Sequence, residues 1–128
     1  MSKNMVRLEK IVAELPEWQR VDIEAWGGEP TFRVRNKNFV FADQPARHIT
    51  VKLPKEEAHA VVASDDRAEP CGYGLGRHGW VSIRLGGRPT AAEWAEVREW
   101  VRTSYVLVAP KKLGRQVLDE DGIDDLEG

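Results

Sequence analysis

The chain has 128 residues, 41% hydrophobic and 31% charged, enough for one hydrophobic core and too few for two ordinary domains. No apolar run approaches the ~20 residues that cross a bilayer, the first ten residues lack the apolar stretch of a signal peptide, and the lone Cys71 excludes an intrachain disulfide, so a cytoplasmic protein is expected. The formal net charge of −2 hides an asymmetry: residues 115–128 hold six acids and one base, and without them the body carries 18 bases and 15 acids, a balance that admits a polyanion partner without demanding one.

The first predicted element is a helix, because Met5, Leu8, Val12 and Leu15 recur at spacings of three and four while Lys10 and Glu14 mark the polar side. Ser2 or Asn4 suits its cap, and Pro16 ends it. From Val21 to Leu53 the period becomes two. Val21, Ile23 and Ala25 suggest a short edge strand, and Gly27, Gly28 and Pro30 punctuate the chain. Phe32 and Val34 then alternate with Thr31, Arg33 and Arg35, Asn36 and Lys37 form a tight connection, and Phe39 and Phe41 are expected on one side of the next strand. Beyond the turn at 43–45, Ile49, Val51 and Leu53 face inward, with His48, Thr50 and Lys52 outward.

Pro54 to Ser64 reads as a short helix with Glu56 and Glu57 in its first turn. Residues 65–79, rich in Gly, read as a loop, and Trp80 to Leu85 resume the alternation. Thr90 and Glu93 form a capping box before a helix whose stripe is Trp94, Val97, Val101, Ser104, Tyr105 and Val108, stopped by Pro110. The sum is an α+β domain over residues 1–114: two layers, an antiparallel β-sheet covered on one face by helices, followed by an acidic tail at 115–128 expected to be disordered.

Chemistry is sparse. His48, His59 and His78 share no ligand spacing and there is no second Cys, so no metal site is predicted. Cys71 with His78 as base has no orienting group, and the glycines from Gly72 to Gly79 lack both the P-loop ending and a following helix. No paired carboxylates suggest acid–base catalysis. The expectation is therefore a protein that is not an enzyme, with no catalytic residue and no cofactor. What remains is cationic: Arg33, Arg35 and Lys52 outward on strands, Lys37 at a hairpin tip, Arg47, Arg77 and His78 in loops, and Lys111 and Lys112 after the last helix. If convergent, these would contact phosphates without reading sequence; if dispersed, they are the ordinary wet face of a sheet.

The order of motifs resembles the MmcQ/YjbR family: Trp26-Gly27, Pro30-Thr31-Phe32-Arg33-Val34, Lys37 with Phe39, Val51-Lys52-Leu53-Pro54, Arg77-His78-Gly79-Trp80-Val81, the Trp94 helix, and Ser104-Tyr105 leading to Pro110-Lys111-Lys112. The resemblance spans about Leu8 to Leu113 and departs at the hairpin tip, Arg35-Asn36-Lys37-Asn38, where the family more often has Gly. It implies a secretion-chaperone-like (CyaY-like) α+β fold and a DNA-binding, "double wing" protein. On that basis the expected nucleic-acid contacts are Arg33, Arg35, Lys37, Lys52, Arg77, Lys111 and Lys112 in a monomer that does not meet the membrane. The alternative is a protein-interaction or chaperone-like adaptor, with the sheet or an exposed aromatic patch holding a partner segment.

Overall fold

A computed structural model describes residues 2–72 and 75–119. Its sheet has six antiparallel strands in the order β1-β2-β3-β4-β6-β5: β1 Trp18–Ile23, β2 Glu29–Val34, β3 Lys37–Ala42, β4 His48–Lys52, β5 Ala68–Pro70 and β6 Trp80–Arg84. Four helices, α1 Lys3–Val12, α2 Lys55–Ser64, α3 Ala91–Val108 and α4 Lys111–Leu118, accompany it. The expected α+β architecture is what the chain adopts. Among the described residues no helix is long and apolar enough to cross a membrane.

Alternation decides which side of the sheet is buried. Phe32, Val34, Val40, Ala42, Ile49, Val51, Val81 and Ile83 point to one face and share a core with Leu8, Val12, Leu15, Val97, Val101 and Tyr105 from the helices. Helix α3 lies against β3 and β4, α2 against β5 and β6, and both α1 and α4 pack on α3. Ser2 caps α1 by accepting from the Met5 amide. Asn4, the other cap candidate, is buried and donates to the carbonyls of Ala46 and Gly86, fastening α1 to two loops. The Thr90–Glu93 capping box is complete.

Four local expectations need correction. First, Phe39 and Phe41 do not share a face. The register slips between Phe32↔Val40 and Arg33↔Asn38, so Phe39 is the extra residue of a β-bulge. It turns into the core, edge-to-face on Tyr105 at 5.2 Å, while Phe41 points outward. Second, the β2–β3 turn is Arg35-Asn36, both at positive φ (50° and 66°), the pattern of a two-residue hairpin loop; Lys37 already belongs to β3. Third, residues 65–79 contain the short edge strand β5 and a 3-10 turn, Leu75–His78. Fourth, helical structure continues through Leu118, with Leu113, Gly114 and Val117 buried, four residues beyond the boundary suggested by composition. The acids from Glu120 onward lie outside the described residues.

Candidate functional site

Sheet register places the cations. Arg33 stands opposite Asn38 on β3. Lys52 follows Val51, which pairs with Val40, and itself pairs with Trp80. Arg33 and Lys52 therefore occupy the same level of the helix-free face, two strand spacings or about 9–10 Å apart. Asn38 lies between them, and its Oδ1 is buried with no hydrogen-bond partner among the described residues. Just below, the rings of Phe41 and Trp80 meet at 5.3 Å across β4, over a floor of Thr31, Thr50 and Ser82. The Arg33 guanidinium donates to Thr31 Oγ1 (3.2 Å), which fixes its direction without neutralising it.

The other predicted contacts gather at the same end of the sheet, on different sides of it. Arg35, in the hairpin turn, is held by Glu17 through two hydrogen bonds (2.6 and 3.1 Å), and each partner favours the charge of the other, so Glu17 lies below the usual carboxylate range. Arg35 is thus already neutralised. Lys37 is opposite Val34 and so points to the helix-bearing face. Arg77 is exposed in the 3-10 turn, next to Gly79, whose carbonyl accepts from the Leu53 amide at the end of β4. Lys111 and Lys112 open α4, directly after α3 ends.

That α3 ends here follows from its bonds. Ser104 Oγ donates to the Phe39 carbonyl (2.6 Å) and accepts from the Lys52 amide (2.9 Å), bridging β3 and β4 just past the Val40–Val51 pair that ends their ladder. The Tyr105 hydroxyl donates to the Pro16 carbonyl beside Glu17. Of the seven predicted residues, Arg33 and Lys52 form a pair on one face, Lys37, Arg77, Lys111 and Lys112 surround the same end, and Arg35 is occupied. No described carboxylate lies within ion-pair distance of Lys37, Lys52, Arg77, Lys111 or Lys112.

Beyond the rings the charge on that face is mixed. Phe41, Thr31, Thr50 and Ser82 also line a hollow of about 320 Å³ whose other walls include Glu29, Asp43 and His48, with Asp43 accepting from His48 Nδ1 at 3.0 Å when that nitrogen carries the proton.

A cavity of about 590 Å³ lies between α2, β5 and the 3-10 turn. Its lining is apolar (Ala58, Val62, Pro70, Val81) with Cys71, His59 and Arg77, and it contains no carboxylate. Burial raises the Cys71 thiol above its ordinary value, the opposite of what an activated nucleophile needs. Among the described residues no group of His, Cys, Asp and Glu is arranged to hold a metal.

Two features escaped the sequence reading. The Phe41–Trp80 pair was hidden by the bulge, which reversed the side of Phe41. The second is a cationic hollow beside α1, lined by Lys3, Arg7, Lys10 and Arg88; its signal was the spacing of Lys3, Arg7 and Lys10 on the polar stripe of a helix already inferred.

These elements define a small α+β domain with a partly cationic sheet face that none of the described helices covers. The match to the YjbR family model covers residues 13–107, and the chain belongs to that family. Its fold is similar to the crystal structure of Deinococcus radiodurans protein DR2400, a DUF419 domain, at 24% sequence identity and a TM-score of 0.60, over 78% of this chain and 74% of that one. No curated protein gives a significant match.

Proposed function

We propose that the protein is a non-enzymatic nucleic-acid-binding module that engages the phosphate backbone with the basic end of its sheet. The supporting observation is the Arg33–Lys52 pair: two cations level with each other on the helix-free face, with no carboxylate between them. A row of this kind neutralises successive phosphates and releases counterions, which needs no sequence reading. The Phe41–Trp80 rings offer apolar surface for bases beside the two cations. Lys37, Arg77, Lys111 and Lys112 extend the positive field around the same end and aid encounter. Arg35 is left out, because Glu17 holds it.

The test is fluorescence anisotropy with short labelled DNA, titrated between about 50 and about 200 mM salt. Affinity is expected to fall steeply with salt, and the double variant Arg33→Glu, Lys52→Glu is expected to weaken binding to all sequences alike, with the salt slope smaller by about two phosphate contacts, roughly 0.7–0.9 each. Binding insensitive to both salt and the double variant would discard the proposal. That outcome would favour an adaptor that holds a peptide segment on the Phe41–Trp80 surface, the second reading the same rings support.

A further inference from the structure

A different surface carries a second inference. Lys3, Arg7 and Lys10 follow one another at spacings of four and three along α1, so their side chains lie one above the next on one side of the helix. Arg88, from the loop between β6 and α3, comes to the same place, and together these four line a hollow of about 310 Å³. Its remaining walls include Asn4, Val6 and Trp94, and among the described residues no carboxylate lines it. The nearby acids are committed elsewhere: Glu9 to Arg20, Glu14 to Arg98 and Glu93 to Arg67. None of the four cations has an ion-pair partner among the described residues.

Like charges at these helical spacings repel, and a helix has no folding reason to stack them. Bringing a fourth cation from another element adds to the repulsion. Lys3, Arg7, Lys10 and Arg88 are all exposed to water, yet they carry a single sign and line one hollow. The guanidinium of Arg7 rests over the Trp94 ring, 5.8 Å from its centre, so one cation is held in place before any ligand arrives. The positive N-terminal end of α1 adds to the potential around Lys3.

We infer that this hollow is a binding site for a small oligophosphate anion, one bearing two or more linked phosphate groups. A single carboxylate or phosphate would leave most of the four cations unmatched, whereas a chain of phosphates spans Lys3 to Lys10 along the helix and meets Arg88 across it. Arginine supplies paired donors for phosphate oxygens and lysine point charges. The site is separate from the sheet end, and its existence does not depend on nucleic-acid binding there.

Isothermal titration calorimetry with inorganic tripolyphosphate, and orthophosphate as comparison, tests this on the full chain. Saturable binding of tripolyphosphate is expected, with orthophosphate at least tenfold weaker. Lys3→Gln with Lys10→Gln, which leaves the Arg7–Trp94 contact intact, and separately Arg7→Gln with Arg88→Gln, should each weaken tripolyphosphate tenfold or more. Arg33→Gln with Lys52→Gln should leave it unchanged while reducing DNA binding, so that the two sites fail or stand separately. Thermal melts of each variant establish that it is folded. No saturable heat, equal affinity for the two anions, or equal weakening by the sheet variant would overturn the site.

Discussion

Arg67 and Lys52 show two uses of positive charge in one small fold. Arg67, at the end of the sheet where α3 begins, is tied to Asp65 (2.7 Å), Glu93 and Glu96 (3.3 Å). It joins the start of β5 to the first turns of α3, and its carboxylates strengthen its charge in return. Lys52, at the opposite end, is half-buried on the helix-free face and has no such partner among the described residues. The same contrast separates Arg20, Arg98 and Arg35, each fixed by a carboxylate, from Lys37, Arg77, Lys111 and Lys112. Cations used by the fold are already neutralised; those left over are available to a partner. The sign of a residue therefore says less about its role than the presence of a nearby carboxylate.

The largest expected effect on stability comes from the first group. Removing Arg67 with Arg67→Ala leaves three carboxylates facing one another and breaks several charge-assisted hydrogen bonds, at a cost of roughly 1.5–3 kcal/mol. Urea denaturation should show a lower midpoint at unchanged slope, while DNA affinity stays the same. If stability did not move, the division between structural and available cations would be lost.

Acid should dissolve the same cluster. Asp65 is held below its ordinary value of 3.8, chiefly by its hydrogen bonds from Arg67. Glu93 is held below 4.5, first by the Thr90 amide of the capping box, then by the Thr90 hydroxyl and Arg67. Both folded values are depressed, so the stabilisation is fully present above the ordinary values and disappears as pH falls through the folded ones. Thermal melts from neutral pH down through the region below pH 4 should show the loss, and Arg67→Ala should flatten it.

The smallest effect belongs to the second group. Lys111→Ala and Lys112→Ala are expected to change stability by no more than about 0.5 kcal/mol, since both side chains are exposed. A larger loss in denaturant titration would mean that these lysines also support the fold.

Much of this was legible in the sequence because the core obeys simple periods. Phe32 and Val34, Ile49 and Val51, and Val81 and Ile83 alternate cleanly, and the Thr90–Glu93 box marked the start of α3 correctly. Period two fails where a bulge adds a residue, and nothing in Asn38-Phe39-Val40 announces one; the slip exists because Phe39 packs on Tyr105, a contact 66 positions away in the chain. Strand β5 is only three residues long and ends in proline, below what alternation can detect. Helix α4 hides behind a glycine and a change to polar composition, although Leu113 and Val117 already had helical spacing. For the site, strand alternation correctly placed Arg33 and Lys52 on the wet face. It could not show that Glu17, on a separate segment, would claim Arg35, or that Arg88 would join three cations of α1.

Amide chemical-shift mapping during titration with a short DNA strand tests the central distinction most directly. The account predicts shifts concentrated at residues 33, 38, 41, 52, 77 and 80, with the amides around Arg67 unmoved. Shifts centred on the Arg67 cluster or on α1, or none at saturating DNA, would contradict it.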